Sequence, residues 1–405
     1  MQAQIVTTNY APEPTGIALY TTDLAEMLSN SNVDCRVLTS LPHYPWWRVP
    51  EQYSDQIEGV YFINGVKVFR ANHFIPRTFS AVSRARFECS LYRNLIRISK
   101  NVDRPNALIA CIPTVAALYV ALAIKKRCGV PLGVIVQDLS GKGASQSGQS
   151  GGSFVAKLAE WVEMRAIRKA DAVVVVSESM RSALVDAGIK ESVVTLIPNY
   201  SVKKFEPLDR NKARNRFAWN LSDFIAIHTG NMGAKQDLGN LIEAGRNLPD
   251  GVRIKIIGHG NQEGKLRKLG RDLSGVEILP AVSDEDYPWV LAAADVLLVN
   301  ERASQIDMSL PSKLTSYLFS GKPVLAAVPL LGATAKYLEG LAAIVPAGDP
   351  TALFAGLMEL KRDKALCEKL AEAGLVFAEN NLNAEVGRAR YQAWVSELTS
   401  RSARR

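Results

Sequence analysis

Short apolar runs alternate with stretches of helical spacing along nearly the whole chain. Apolar runs bounded by polar loops are typical of buried strands in a parallel sheet, and apolar positions three and four apart predict amphipathic helices. The alternation starts with a strand at residues 5–6 and a helix over 17–28, and the charged segment 201–222 interrupts it once. The pattern therefore predicts two doubly wound α/β domains with parallel sheets.

The length of the chain supports this division, because 405 residues are too many for one hydrophobic core. We predict a first Rossmann-like domain over residues 1–205 and a second over 206–383. A C-terminal helix over 384–405 would pack back on the first domain. Two such domains that turn the carboxyl ends of their strands toward a central cleft form the GT-B fold, and ligands bind at those strand ends.

One polar loop follows the apolar run 295–299 and precedes a helix that begins near Pro311, Ser312 and Lys313 and ends before Gly321. In an open parallel sheet, this loop lies at the carboxyl ends of the strands. Free N–H groups of the first helical turn and the positive end of the helix dipole would face an anion. We therefore predict a site for a phosphate-bearing ligand at this loop.

Two further loops of the second half end strands with glycine, at residues 230–233 and 258–260. Lys235 lies near a helix start, where a positive charge is unfavourable unless an anion is bound. With Arg302 and Lys313 it would place three cations on adjacent loops, which suits a diphosphate. Taken separately, each of these cations is more often a solvated surface charge.

The first half carries its own polar residues at strand ends. Gly16 at a helix start would let the backbone approach a ligand phosphate, or would simply cap the helix, and its spacing alone does not decide between these. Asp138 follows the strand 132–136 and would face the cleft, unless it is an N-cap. The Gly/Ser/Gln stretch 139–152 is typical of a flexible loop, often a lid over an active site.

Residues 42–48, with the sequence PHYPWWR, form a dense aromatic loop stiffened by two prolines. Several large rings have little room to be buried in a loop. The loop would stack on a sugar or lie at an interface, and a lid packed on the first domain is at least as consistent with the sequence.

The segment 76–104 has both apolar and cationic stripes at helical spacing. The apolar stripe is Phe87, Leu91, Leu95 and Ile98, and the cationic stripe is Arg86, Arg93, Arg97 and Lys100. A basic amphipathic helix suits the surface of a membrane with anionic lipid, and it equally suits a surface helix with a solvated basic face.

The composition of the chain limits the classes of binding partner that we expect. The formal net charge of +8 favours anionic partners such as nucleotide phosphates, phospholipid head groups or nucleic acid, of which nucleic acid is the weakest candidate because no zinc knuckle or RNP-like strand appears. The five cysteines have no CxxC pair and predict reduced core thiols with no metal site. No signal peptide and no membrane span are predicted, so we expect a cytoplasmic protein.

Several segments, in order along nearly the whole chain, match a known family. The chain resembles bacterial glycosyltransferases of family 4, most closely those assigned to colanic acid and related exopolysaccharide synthesis. The matching segments are NYAPEPTGIALYT (9–21), LPHYPWWRVPEQYS (41–54), IVQD (135–138), IPN (197–199), GNMGAKQDLGNLIEA (230–244), IGHG (257–260) and LPSKLTSYLFSGKPV (310–324).

The resemblance implies a GT-B enzyme that transfers a sugar from a UDP- or GDP-linked donor with retention at the anomeric carbon. No metal cofactor would be required. The second domain would bind the nucleotide-sugar, and the first would bind an acceptor, expected to be a saccharide linked to polyprenyl diphosphate. The enzyme would then associate with the inner face of the plasma membrane, through anionic lipid bound by residues 76–104.

Roles follow from the resemblance residue by residue. Lys235 matches the phosphate-binding lysine of the family, and with Arg302 and Lys313 it would stabilise the charge of the leaving diphosphate. Asp138 falls where many members carry a histidine, so it would orient the acceptor or accept its proton. The remaining predicted substrate-binding residues are Thr15, Gly16, Gly230, Asn231, Gly258, His259, Asp307, Pro311, Ser312, Leu314 and Ser316.

The acidic pair of the family, two glutamates eight residues apart, is missing. Their positions correspond to Met308 and Ser316 in this sequence, a feature that the chain shares with relatives carrying the PSKLT sequence. Ser316 would be a short substitute for the ribose contact, and Asp307 would supply a carboxylate near the first position. The arginine that usually follows the first glycine of the 230–233 loop is Asn231 here.

Two alternative functions stay open. A sugar-nucleotide epimerase on the same fold would need acid and base side chains in the cleft, and the absent glutamates and scarce histidines argue against it. A non-catalytic subunit that binds sugar-nucleotide or scaffolds a polysaccharide complex is favoured by the same absence of the glutamates.

Overall fold

The computed structural model describes residues 2–14, 16–53, 57–76, 80–112, 114–139, 152–202, 205–304 and 311–400. The chain forms two compact units. Unit 1 comprises Met1–Val202 together with Ala384–Arg405, and unit 2 comprises Lys203–Asn383.

Unit 1 is built on an eight-stranded sheet over the described residues, in the order β3-β4-β2-β1-β5-β6-β7-β8. Its strands are β1 Gln2–Thr7, β2 Asp34–Ser40, β3 Gly59–Ile63, β4 Val66–Ala71, β5 Ala107–Ile112, β6 Leu132–Val136, β7 Ala172–Val175 and β8 Val194–Leu196. Its helices are α1 Ile17–Asn30, α2 Ala81–Ser99, α3 Val115–Cys128, α4 Gly152–Ile167, α5 Glu178–Asp186 and, at the end of the chain, α14 Ala384–Ser400.

Unit 2 has a six-stranded sheet over the described residues, with all neighbouring strands parallel, in the order β11-β10-β9-β12-β13-β14. Its strands are β9 Phe224–Asn231, β10 Val252–His259, β11 Val276–Leu279, β12 Val296–Asn300, β13 Val324–Val328 and β14 Ala343–Pro346. Its helices are α6 Arg210–Arg216, α7 Gly239–Ala244, α8 Glu263–Gly270, α9 Tyr287–Ala293, α10 Lys313–Phe319, α11 Ala333–Tyr337, α12 Pro350–Arg362 and α13 Lys364–Asn381.

The prediction of two doubly wound α/β domains is confirmed, since each unit has its own sheet and its own core. Strands such as β5 and β12 are buried along their full length, as expected for parallel strands covered by helices on both faces. Serine is a favoured N-cap residue, and the Ser177 hydroxyl caps α5 by accepting a hydrogen bond from the backbone N–H of Met180.

The sheet of unit 1 is not purely parallel, which corrects the prediction. Strand β3 pairs antiparallel with β4 through the turn Asn64–Gly65, where both residues have positive φ. An Asn-Gly pair between alternating residues is a strong hairpin signal, because both turn positions need a left-handed backbone. The sequence YFINGV carries that signal.

Residues 205–222 of the charged segment belong to unit 2 and contain helix α6. Arg214 in this helix is fully buried and donates to the backbone carbonyls of Ala293, Asn220, Leu221 and Asp223. Its guanidinium also pairs with the carboxylate of Asp295 at 2.5 Å. The charge that marked the domain boundary is thus partly internal to the fold.

Helix α2 is the basic segment predicted over 76–104, of which residues 77–79 lie outside the described part. Its N-cap is Ser80, whose hydroxyl accepts a hydrogen bond from the Ser83 N–H. Phe87, Leu91 and Leu95 are buried in unit 1, so the apolar stripe is core and is not available to a bilayer. The cationic stripe is exposed and consists of Arg86, Arg93, Arg97 and Lys100.

No helix of the described residues is long and apolar enough to cross a membrane. The cysteines of the described residues are all free, but Cys89 on α2 is exposed, and Cys128 and Cys367 are half-buried. The expectation of five core thiols is therefore correct only for Cys35 and Cys111.

The C-terminal helix α14 packs on the sheet of unit 1. The indole of Trp394 lies over Gly133 of β6, where a Cβ atom would come within 2.4 Å of the ring. The guanidinium of Arg388 forms a salt bridge with the carboxylate of Asp23, which also accepts a hydrogen bond from the Tyr200 hydroxyl at 2.6 Å. A glycine in the middle of a buried strand is thereby explained by the ring above it.

Replacing Trp394 by alanine should lower the free energy of unfolding by about 3–5 kcal/mol, because the ring is buried and nothing else fills its volume. Urea denaturation followed by circular dichroism measures the loss. Trp161→Ala is the matched control, because Trp161 is 53% exposed and its removal should cost about 1 kcal/mol or less. Equal losses in the two variants would contradict a structural role for α14.

Candidate functional site

The loops at the carboxyl ends of β9 and β12 are joined to each other in unit 2. The backbone N–H of Arg302 donates to the carbonyl oxygen of Lys235 at 3.0 Å. The buried amide of Asn300 donates to the carbonyls of Gln236 and Asp237 at 2.7 and 3.0 Å. Lys235 and Arg302 are thus held on neighbouring loops at one edge of the sheet, and both residues are exposed.

The two glycine loops predicted in this unit lie against each other. A Cβ atom on Gly258 would come within 1.8 Å of the Gly230 carbonyl oxygen, so only glycine fits there. The N–H of Met232 donates to the carbonyl of His259 at 2.8 Å, which ties the loops together beyond the strand ends. The backbone carbonyl of Met232 leaves no room for a Cβ atom at Gly260, since its oxygen would lie within 2.6 Å. These glycines therefore serve close backbone packing.

Lys313 reaches from the first residue of α10 to the end of β9. Its ammonium lies 2.9 Å from Nε2 of His228, a buried residue of that strand. The other ring nitrogen, Nδ1, lies 3.0 Å from the Leu298 carbonyl oxygen in β12. A Cβ atom on Gly230 would be 3.6 Å from the ammonium, so the exposed Gly230 backbone and the Lys313 ammonium are direct neighbours.

Burial has the largest effect on the pKa values of Lys313 and His228. It lowers the pKa of Lys313 to about 7, against the attraction of Glu301, which raises that pKa. Burial, together with the Lys313 charge, also lowers the pKa of His228 well below its ordinary value, so the imidazole is neutral at physiological pH. The Glu301 carboxylate accepts a hydrogen bond from the Thr334 hydroxyl at 2.8 Å.

A chain of hydroxyl groups lies beside the lysine. Ser316 donates to the Lys313 carbonyl at 2.9 Å, and its oxygen lies 2.8 Å from the Tyr287 hydroxyl. Because the Ser316 proton is engaged, we infer that Tyr287 is the donor in that pair. The buried Tyr317 hydroxyl accepts from the Thr229 N–H at 2.8 Å. Ser316, predicted as a short substitute for a ribose contact, is thus already bonded within the protein.

The residues around Lys313 differ in their exposure. Pro311 is half-buried and Ser312 is exposed, whereas Leu314 is 2% exposed and packs in the core of unit 2. The side chain of Leu314 therefore packs in the core, so its predicted substrate contact would involve the backbone. Helix α10 has seven residues, and Ser312 makes no side-chain cap. The predicted anion site at this helix start thus depends on the Lys313 ammonium more than on a helix dipole.

In unit 1, Gly16 is the exposed N-cap residue of α1 and has a positive φ of 68°. The ring of Tyr44, in the aromatic loop 42–48, would lie 3.2 Å from a Cβ atom at that position. The buried carboxylate of Glu13 holds the aromatic loop by accepting hydrogen bonds from the N–H groups of His43 and Tyr44 at 2.8 and 2.9 Å. Burial raises the pKa of this carboxylate.

The aromatic loop packs partly on unit 1. The Trp47 ring lies 5.8 Å from the ring of His43 and 6.1 Å from the ring of Phe87, measured between centroids. Trp46 is 36% exposed, so it is the more accessible of the two indoles. The aromatic loop is therefore packed on unit 1 through Trp47, whereas the Trp46 ring is exposed to solvent.

Asp138 is exposed after the end of β6, and its carboxylate accepts a hydrogen bond from the Leu139 N–H at 2.8 Å. His259 is exposed at the end of β10. Thr15, Asp307 and the polar stretch 140–151 lie outside the described residues.

Among the described residues, no group of three or more His, Cys, Asp or Glu side chains is arranged to hold a metal ion. Sequence reasoning missed His228, Asn300 and Tyr287. For two of them a signal existed, since His228 is a polar residue near the end of an apolar strand, and Asn300 directly follows the apolar run 295–299. Tyr287 in α9 carries no such signal, because only the fold brings it to Ser316.

Two family models match the chain. Residues 15–200 match the glycosyl transferase 4-like domain, and residues 209–376 match the glycosyl transferases group 1 domain. Together they span most of both units and leave the C-terminal helix outside.

Similar proteins agree with these matches. The chain is 29% identical, over 93% of its length and 95% of the relative's, to WcaI of Escherichia coli (strain K12), whose name assigns it to colanic acid biosynthesis as a glycosyl transferase.

Among solved structures, sucrose-phosphate synthase from Thermosynechococcus elongatus superposes with a TM-score of 0.76 at 16% identity, covering 99% of this chain and 100% of that one. Anabaena HepE in complex with UDP gives 0.71 at 16% identity, covering 98% and 100%, and its complex with UDP-glucose gives 0.69 at 17% identity, covering 97% and 99%. At these identities the likeness concerns the fold, which is that of GT-B glycosyltransferases. The chain therefore belongs to the glycosyltransferases, with a glycosyl transferase 4-like domain followed by a domain of the glycosyl transferases group 1.

Proposed function

We propose that this glycosyltransferase moves a sugar from a UDP- or GDP-linked donor to a growing saccharide on polyprenyl diphosphate during synthesis of a bacterial surface polysaccharide, with retention at the anomeric carbon. The observation that carries the proposal is the grouping of Lys235, Arg302 and Lys313 around the loop 230–237 of unit 2. Support for the polysaccharide comes from the similarity to WcaI, and support for a uridine nucleotide comes from the likeness to HepE.

The donor would bind to unit 2 with its diphosphate against the three cations. As the bond between the anomeric carbon and the diphosphate oxygen breaks, negative charge grows on the leaving group. Lys235, Arg302 and Lys313 would stabilise that charge. Because these cations supply the neutralisation, the proposal needs no metal cofactor.

The acceptor would bind to unit 1. Its hydroxyl attacks the anomeric carbon from the face that the diphosphate leaves, which gives retention without a protein nucleophile. Asp138 would orient that hydroxyl or accept its proton, and its exposed carboxylate is accessible for either role. Gly16 and Trp46 would contact the acceptor or the donor phosphate at the carboxyl edge of the same sheet.

A polyprenyl-linked acceptor requires the enzyme to work at a membrane surface. We propose that the exposed cationic stripe of α2 binds anionic lipid of the inner leaflet, so that the protein lies at the cytoplasmic face. The contact would be electrostatic, since the apolar stripe of this helix is buried.

The donor chemistry can be tested without knowing the acceptor. Incubation with UDP-sugars and GDP-sugars should release nucleoside diphosphate slowly from one of the two series, because water can attack the anomeric carbon in place of the acceptor hydroxyl. Chromatography of the nucleotides measures the release. Tight binding of a sugar-nucleotide without any release would favour the non-catalytic subunit instead.

Lys313→Met should lower this turnover by about 100-fold or more, because it removes one cation from the leaving group. The variant should fold as well as the wild type, since a cation with a lowered pKa does not stabilise the folded state. The folded-state pKa of Lys313, about 7, lies below the ordinary lysine value of about 10.4, so the unfolded chain binds more protons between these pH values. The stability of the wild type relative to Lys313→Met should therefore rise as the pH increases through that window.

Lys336→Met is the matched control, because Lys336 is an exposed lysine of the same unit. It should change neither turnover nor the pH dependence of stability. Unchanged turnover in Lys313→Met would contradict the role of Lys313 in the donor site.

The double variant Arg86→Glu/Arg93→Glu should detach the protein from vesicles containing anionic lipid. Each basic side chain near an anionic surface contributes about 1 kcal/mol, so reversing two should weaken binding by about 2 kcal/mol or more. Flotation with liposomes of phosphatidylglycerol and phosphatidylcholine measures the bound fraction. Lys361→Glu/Arg362→Glu, on exposed residues of α12, alters the net charge equally and should not detach the protein. Equal effects of the two pairs would contradict the proposed surface.

A further inference from the structure

We propose that His228 is a positioning residue of the donor site, whose neutral imidazole holds the Lys313 ammonium beside Gly230, where it meets the donor diphosphate. The inference rests on the proposed function, which places the diphosphate at Lys313. It adds a residue that does not touch the donor and acts only through the lysine.

The hydrogen bonds of the ring fix its tautomer. The Leu298 carbonyl can only accept, so Nδ1 of His228 carries the proton and donates to it. Nε2 then presents a lone pair, and the Lys313 ammonium donates to it across 2.9 Å. A fully buried ring held at both nitrogens cannot turn, so the direction of its lone pair is set by strands β9 and β12.

This arrangement orders a flexible side chain before the donor arrives. A lysine side chain has four rotatable carbon bonds, and fixing them costs about 2 kcal/mol of conformational entropy. When His228 has already fixed the Lys313 side chain, the diphosphate meets an ammonium in place, and less of its binding free energy is lost to ordering.

A neutral partner is what such a task requires. A carboxylate hydrogen-bonded to the ammonium would cancel its charge, whereas an imidazole accepts the hydrogen bond and leaves the positive charge in place. The titratable groups that face the Lys313 ammonium are His228 from β9 and Glu301 after β12, and Glu301 acts at longer range. Among the described residues, no carboxylate lies within ion-pair distance of this ammonium.

Two substitutions of His228 distinguish a role in positioning Lys313 from a role in packing, because each keeps a polar atom near only one of the two ring nitrogens. His228→Gln carries an amide oxygen near the position of Nε2 and can accept from Lys313. His228→Asn carries its amide near the position of Nδ1 and can donate to Leu298, but it does not reach Lys313. A structural role needs only the backbone contact, whereas positioning needs the lysine contact.

Isothermal titration with UDP and with GDP measures the effect, using whichever nucleotide the wild type binds. His228→Asn should weaken binding about tenfold, the value of one hydrogen bond to a charged group, and His228→Gln should restore it to within about threefold of the wild type. Wild-type affinity should fall as the pH rises past the Lys313 pKa of about 7, because the ammonium is lost. In His228→Asn this midpoint should move to lower pH, because the charged form loses its acceptor.

A double-mutant cycle completes the test. In the Lys313→Met background, His228→Asn should have no further effect on affinity, since the positioned group is gone. Weak binding by Lys313→Met together with wild-type binding and an unchanged pH midpoint in His228→Asn would overturn the role of His228 alone. Wild-type binding by Lys313→Met would instead overturn the proposed function at that lysine. Equal losses of affinity in His228→Asn and His228→Gln would also contradict the positioning role. The loss would then come from removing the imidazole ring, and not from removing the hydrogen-bond acceptor of Lys313.

Discussion

The close approach of β9 and β10 at their carboxyl ends is the constraint on which the site in unit 2 depends. Gly258 lies directly against the carbonyl of Gly230, and no other residue fits at that position. This approach places the loops that follow β9 and β10 against each other. The Gly230 backbone stays exposed and lies beside the Lys313 ammonium. Two glycines therefore let the strand ends meet beside the cation, although neither carries chemistry of its own.

Periodicity predicts most of the fold because buried parallel strands are continuous apolar runs, and β6 is predicted with the boundaries it has. It fails where packing outweighs composition. Arg214 belongs to the charged segment that sequence reasoning uses to divide the two domains, yet it is buried among five partners in unit 2. The apolar stripe of α2 suggested a membrane contact, and an amphipathic pattern cannot tell a lipid surface from a protein core.

For the site, the sequence indicates which loops meet, because parallel strands bring their carboxyl ends to one edge. It therefore predicts Lys235, Arg302 and Lys313 on adjacent loops. In unit 2 the Arg302 N–H bonds the Lys235 carbonyl, and the Lys313 ammonium lies beside Gly230. The sequence does not indicate which side chain on another strand forms a hydrogen bond with a given cation. His228 lies 85 positions from Lys313 in the chain, and only the order β9-β12 sets their contact.

Burial lowers the pKa of both Arg214 and Lys313 in unit 2, but the two cations differ in their partners. Arg214 offsets part of its desolvation cost within the fold, through hydrogen bonds to four backbone carbonyls and an ion pair with the carboxylate of Asp295. Lys313 has a neutral imidazole as its hydrogen-bond partner and the more distant charge of Glu301, so much of its cost is not recovered and its pKa falls to about 7. A fold gains no stability from a cation kept in this way. An anion bound at Gly230 would recover that cost, so the unfavourable burial of Lys313 becomes binding free energy when a diphosphate arrives.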